Sequence, residues 1–158
     1  MSKTKTVFVT GGAGFIGSAV VGELLSSTDF SVINIDSLTY AGNLATVARF
    51  EDNSRYRFVQ ADICDDETLH NLFTKKQPVG VIHLAAESHV DRSIGGSGVF
   101  VQTNIVGTYT LLETARHFVE SKGRESDEFL FHHVSTDEVY GSLGHDGLFT
   151  ENSPYAPN

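Results

Sequence analysis

The run Thr10-Gly-Gly-Ala-Gly-Phe-Ile-Gly17 constrains the fold more than any other stretch of the chain. It contains Gly12-x-Gly14-x-x-Gly17 and, in a second frame, Gly11-x-x-Gly14-x-x-Gly17. Before it lies Val7-Phe8-Val9-Thr10, an apolar run that reads as a buried parallel strand; after it, Phe15-Ile16, Ala19-Val20-Val21 and Leu24-Leu25 recur at helical spacing. A turn without side chains between strand and helix lets the backbone N–H groups of Gly11 and Gly14 approach a diphosphate, whose charge the helix dipole stabilises. Gly17 then allows the helix to pack closely. The alternative is that the glycines only make a tight turn, so the rest of the chain has to decide.

The remaining sequence alternates in the same way. Ser31 to Ile35, ending in Asp36, and Tyr56 to Gln60 read as the second and third strands, with a short helix over Leu44 to Phe50 and a polar, mobile-looking stretch from Glu51 to Arg55 between them. Asp65 or Asp66 can cap a helix through Leu69, Leu72 and Phe73, which Pro78 ends before a strand from Val79 to Leu84. A glycine-rich loop, Gly95 to Gly98, precedes a long helix from Val99 to Val119; the polar segment Glu120 to Glu128 is a loop, and Phe129 to Val134 is the fifth strand. This alternation predicts an α/β fold, a doubly wound parallel sheet of Rossmann type with ligands at the carboxyl ends of its strands.

At 158 residues, 40% of them hydrophobic, the chain suffices for one domain. A net charge of −9 argues against a nucleic-acid partner. The single cysteine, Cys64, rules out an internal disulfide and a CxxC site, reads as a buried and inert thiol, and fits a reducing, cytoplasmic setting. The seven histidines show no zinc-like spacing, so no metal is expected, and the short apolar run at Val7 is neither a signal peptide nor a membrane span.

Asp36 supplies the second signal for a dinucleotide. It ends the second strand about 20 residues after the glycine turn, where a carboxylate accepts hydrogen bonds from the adenosine ribose and repels a 2′-phosphate, so the expected cofactor is NAD rather than NADP. Asp36 as a plain turn or cap residue is the competing reading. Asp62-Ile63, just past the third strand, can reach the adenine edge or cap a helix. His83-Leu-Ala-Ala86 brings small side chains beside a cofactor, although small residues also suit any crowded strand end. The fifth strand runs into Ser135-Thr136-Asp137-Glu138, two carboxyls beside a hydroxyl at the ligand-binding edge, a pattern suited to acid and base work if burial keeps one carboxyl protonated. A charged surface loop would look the same.

These residues resemble the extended short-chain dehydrogenase/reductases and, within them, the dTDP-glucose 4,6-dehydratases. The resemblance rests on Thr10 to Ser18, Asp36-Ser-Leu-Thr-Tyr-Ala-Gly-Asn43, Ala61 to Asp65, His83 to Ser93, Thr103 to Thr108 and Ser135-Thr-Asp-Glu-Val-Tyr-Gly141, which run through nearly the whole chain. The first of these marks the broad superfamily; the Thr-Asp-Glu triplet is the most specific.

The resemblance implies cofactor contacts from Phe15, Ile16, Asp36, Ser37, Leu38, Thr39, Asp62, Ile63, Leu84, Ala85, Ala86, Glu87, Ser88 and Thr103, with Ser88 and Thr136 also at the substrate and Asn104 structural. It implies redox-neutral loss of water from dTDP-glucose: C4 is oxidised at NAD, Glu138 takes the C5 proton, Asp137 protonates the departing C6 hydroxyl, Thr136 holds the C4 oxygen and the hydride returns to C6. His89, Asp91 and Arg92 form a network or an ordinary loop salt bridge and carry no assigned role.

The family pattern also calls for a Tyr-x-x-x-Lys pair, which is not found here; Tyr155, between Pro154 and Pro157, is not placed in that role. The expectation is therefore an incomplete NAD-binding domain spanning residues 1–158, lacking the last strands and the carboxyl-terminal substrate domain, inactive alone, poorly soluble or self-associating, and homodimeric when full length. A related nucleotide-sugar epimerase or decarboxylase is the nearest rival, and a non-catalytic NAD-binding module the other.

Overall fold

The computed structural model describes residues 4–89, 96–123 and 129–158. Five parallel strands form one sheet: β1 (Thr6–Thr10), β2 (Ser31–Asp36), β3 (Tyr56–Gln60), β4 (Gly80–His83) and β5 (Leu130–His133). Their spatial order is β3-β2-β1-β4-β5, so the chain winds outward from β1 in both directions and the switch point lies between β1 and β4. All five strands fall within a residue or so of the apolar runs that predict them.

Successive residues of β1 serve opposite layers, as the two-residue period of a strand requires. Phe8 joins Ile33, Ile35, Leu69, Phe73, Val81, Leu111 and Ala115 on one face, whereas Val9 joins Val21, Leu25 and Val32 on the other. Helix α1 (Phe15–Ser27) covers the second face. The first is covered by α3 (Asp66–Lys76), after the short α2 (Leu44–Val47) and a 3-10 turn (Ala48–Phe50), and by a long helix described below. Asp65 rather than Asp66 caps α3, accepting the Thr68 N–H at 3.0 Å, and Gln77 ends it in the left-handed region (φ 51°) just before Pro78. The stretch before β3 is fastened by Arg55, whose guanidinium donates to the carbonyls of Leu25 in the last turn of α1 and of Thr28 and Phe30 just after it.

The long helix departs from expectation in two ways. It begins at Ser97, so Gly98 is helical rather than part of a loop, and its first turn (α4, Ser97–Phe100) passes through a π-helical stretch, Val101–Gly107, into α5 (Thr108–Lys122). The π stretch coincides with a contact between elements. Asn104 turns toward the loop after β4, where its amide accepts the Glu87 N–H at 2.8 Å and donates to the Glu87 carbonyl at 2.9 Å. This matches the structural part expected of Asn104. Gly107 lets the stretch pack closely there, since a Cβ on it would stand 2.7 Å from the Ile63 side chain, which would have to move. Helix α5 also extends to Lys122, past the predicted end at Val119, while the rest of the predicted loop, 124–128, lies outside the described residues.

Candidate active site

The glycine turn sits at the switch point. Gly11 has φ +70°, a conformation that L side chains resist, and a Cβ on it would lie 2.7 Å from the Ala85 backbone nitrogen. A Cβ on Gly17 would be 2.1 Å from the Gly11 carbonyl oxygen, which accounts for the close helix packing expected of that residue. The part given to Gly11 and Gly14 needs correction: the Gly11 N–H already donates to the Ile35 carbonyl at 2.9 Å and the Gly14 N–H to the Gly11 carbonyl at 3.2 Å. The donors left for a phosphate are instead those of the first turn of α1, whose N-cap, Gly14, provides no side-chain cap. Phe15 and Ile16 begin that turn, 92% and 60% exposed.

Asp36 closes the turn from the side. Its buried carboxylate accepts the Ala13 N–H on Oδ2 at 2.9 Å and the Leu38 N–H on Oδ1 at 2.8 Å. Each oxygen keeps a further lone pair, so the carboxylate can tie the turn and still accept from a ribose hydroxyl. Leu38 takes a left-handed conformation (φ 58°) just after the strand, with Ser37 and Thr39 exposed on either side of it. Asp62 does not cap a helix; its carboxylate accepts the Cys64 N–H at 2.8 Å. The Ile63 side chain is buried beneath the π stretch, so only its backbone is left to face a ligand. The Cys64 thiol is half-buried, donates to the Gln102 carbonyl, and is pushed up in pKa first of all by burial.

The segment after β4 is held to the glycine turn by its backbone. Leu84 and Ala85 donate their N–H groups to Thr10 Oγ1, each at 3.3 Å, which brings that loop onto the glycine turn. Thr10 Oγ1 then gives its own proton to His83 Nδ1 at 2.7 Å, and the Nε2–H of His83 reaches Thr108 Oγ1 at 3.0 Å. His83 is buried and neutral, held down to a pKa of about 4 by desolvation and, second, by the nearby His133. A bridging role for this ring was not read from the sequence, where only its small neighbours stood out. Ala86 and Ser88 are exposed beside the loop, and Thr103 lies next to Asn104 in the π stretch.

The Thr-Asp-Glu triplet stands on the same edge of the sheet. His83 and His133 are register partners, and the Val134 N–H donates to the His83 carbonyl at 3.0 Å, so β5 delivers its carboxyl end beside the loop after β4. Thr136 caps a 3-10 turn, Asp137–Tyr140, by accepting the Glu138 N–H. Ser135, Thr136, Asp137, Val139, Tyr140, Tyr155 and Pro157 line an open cleft of about 620 Å³. Glu138 stands beside this cleft rather than in its lining. All three members of the triplet are exposed, so the described residues do not supply the burial on which the acid-and-base reading relies.

The placing of Tyr155 was not anticipated: its ring lies 5.6 Å from that of Tyr140, and the Ala156 N–H donates to the Val139 carbonyl at 3.0 Å. Asp91 and Arg92 lie outside the described residues. Among the described residues no group of three or more His, Cys, Asp or Glu could hold a metal ion, and no helix is long and apolar enough to cross a membrane.

The turn fits a dinucleotide on its own geometry: a cradle that a Cβ would fill, an uncapped helix start and a carboxylate with lone pairs to spare. Comparison with known proteins agrees. The chain is 57% identical over 156 residues to a dTDP-glucose 4,6-dehydratase of Neisseria meningitidis serogroup B, a match covering 98% of this chain and 44% of that protein. It is 53% identical over 163 residues to one of Escherichia coli, covering 96% of this chain and 45% of that protein, so it spans about half the length of these relatives. Among solved structures, the dTDP-glucose 4,6-dehydratase of Bacillus anthracis in complex with NAD superposes with a TM-score of 0.83 at 40% identity, over 98% of this chain and 45% of that one. The Streptomyces venezuelae enzyme with NAD bound gives 0.84 at 46% identity, over 97% and 46%. A family model described as GDP-mannose 4,6 dehydratase matches residues 8–158, nearly the whole length, and the chain belongs to that family.

Proposed function

We propose that this chain holds NAD, in preference to NADP, and takes part in the dehydration of dTDP-glucose to dTDP-4-keto-6-deoxyglucose. One juxtaposition carries the reading: the Asp36-tied turn that suits a dinucleotide and the Thr136-Asp137-Glu138 turn rise from neighbouring parts of one sheet edge, linked through His83 and His133. Relatives named for this reaction, and two of them crystallised with NAD, support it.

The α1 N-terminus would face the diphosphate, Asp36 the adenosine ribose, and Asp62 with the Ile63 backbone the adenine. NAD held there would supply a hydride acceptor for C4 of the sugar and a hydride donor for C6, with Glu138 returning its proton to C5 as the hydride arrives. Thr136 Oγ1 holds the C4 oxygen in place. Once C4 is a ketone, the C5 hydrogen is acidic because the electrons it leaves delocalise into the carbonyl; Glu138 takes that proton and Asp137 gives one to the C6 hydroxyl, which departs as water. The base for the C4 hydroxyl proton is not assigned to any residue of this chain.

A 4-epimerase needs no acid for a leaving group at C6, and the Asp-Glu pair therefore favours dehydration over that alternative. The apolar face formed by Val101, Ile105, Tyr109 and Leu112, all exposed along one side of the long helix, is the surface we assign to a homodimer. Incubation of the intact protein with NAD and dTDP-glucose tests the main reading, with formation of the 4-keto-6-deoxy sugar as the expected result. Sugar recovered unchanged, or inverted at C4, would count against it. A protein that sediments as a monomer at micromolar concentration would remove the dimer.

A further inference from the structure

We propose that Tyr40 and His89 form a clasp over the bound dinucleotide and set the rate at which it leaves. The inference rests on the reading of the glycine turn as an NAD site.

β2 and β4 flank β1, so the loops that follow them rise on either side of the glycine turn. Each loop is anchored at its base. After β2, the Leu38 N–H donates to Asp36, the Gly42 N–H to the Thr39 carbonyl at 3.1 Å, and the Asn43 N–H to the carbonyl of Ala13, in the turn itself, at 3.1 Å. After β4, Leu84 and Ala85 are held to Thr10, and Glu87 is gripped through both backbone groups by Asn104. From these two fixed bases Tyr40 and His89 meet, with ring centroids 5.4 Å apart and planes at 49°.

The floor between the loops is the glycine turn and the uncapped start of α1. A diphosphate lying on that floor has a loop on each side and the ring pair joining them, so its departure requires the rings to part. Tyr40 is 44% exposed and His89 is exposed, which places the pair at the rim of the site and outside the core. Because the pair lies outside the core, its contact bears on release more than on folding. Slow release suits a reaction that returns its hydride to the same sugar, because no exchange of cofactor is needed between turnovers.

The test is the release rate of NADH from the intact protein, followed by its fluorescence in stopped flow after a chase with excess NAD. Tyr40→Ala and His89→Ala should each speed release about three- to tenfold, the range expected for loss of one aromatic pair. Tyr40→Phe, which keeps the ring, should release NADH at the wild-type rate, and the double alanine variant no faster than the faster single one. Alanine variants that release NADH at the wild-type rate would overturn the clasp while leaving the NAD site intact. A wild-type protein that does not bind NADH would overturn both.

Discussion

Asp36 Oδ2 accepts the Ala13 N–H at 2.9 Å, so the carboxylate that ends β2 also fixes the shape of the turn after β1. Asp36→Ala should therefore lose NAD binding and stability together, with about 1–3 kcal/mol from the buried donor left unpaired. Asp36→Asn should behave alike, because an amide nitrogen facing Ala13 or Leu38 would present a donor to a donor. Titration with NAD and NADP beside thermal melts checks this. An asparagine variant that binds NAD as tightly as wild type would separate the turn from the cofactor.

The glycines of the turn are not equivalent to glycines elsewhere. An added Cβ at Gly17 meets backbone on two sides, 2.1 Å from the Gly11 oxygen and 2.7 Å from the Gly12 Cα, and neither can swing away. Gly17→Ala should cost about 3 kcal/mol or more. Gly98, helical and with nothing within 4 Å of an added Cβ, is the control: Gly98→Ala should gain up to about 1 kcal/mol from helix propensity alone. Denaturant unfolding of the two variants should move the midpoint in opposite directions.

These two cases also show what is legible in the sequence. Val7 to Thr10 and Ser31 to Asp36 announce themselves as strands because both faces are covered and apolar side chains recur, whereas Tyr56 to Gln60, at the sheet edge with Arg57 and Gln60 exposed, is marked by the strand-prone Tyr56, Phe58 and Val59. The glycine spacing and Asp36 mark the cofactor turn because their chemistry is local. The π stretch does not announce itself, since it coincides with Asn104 reaching Glu87, 17 residues away. The place of His83 depends on Thr10 and Thr108, contributed by β1 and α5, and that of Tyr155 on the Asp137–Tyr140 turn. In each case the contact joins residues far apart in the chain, so no local pattern carries it.

His83 makes the fold sensitive to acid. Its folded pKa of about 4, depressed by burial and then by His133, lies below its ordinary 6.5. As pH falls below 6.5 the unfolded chain takes up this proton before the folded one does. The His83 contribution is therefore fully present above 6.5, declines toward pH 4 and reaches a loss of about 3 kcal/mol there. Carboxylates add their own dependence, so the comparison is with His83→Gln, which should show a flatter stability profile across that window in urea unfolding. Parallel profiles for the two proteins would mean that the ring takes up its proton without cost in the folded state.

Asp137 and Glu138 are adjacent, yet Asp137 lines the cleft and Glu138 stands beside it, so the two should fail in different ways when neutralised. Glu138→Gln should stop exchange of the sugar C5 hydrogen with deuterated solvent, because no base is left to take it. Asp137→Asn should allow that exchange and slow the loss of the C6 hydroxyl. Each should lower kcat about 100- to 10,000-fold, the usual range for a positioned acid or base. NAD affinity should not move in either variant, since the Asp137–Tyr140 turn takes no part in the floor formed by Gly11, Gly14 and Asp36. If C5 exchange survives Glu138→Gln and disappears in Asp137→Asn, the residue inside the cleft is the base and the two roles are reversed.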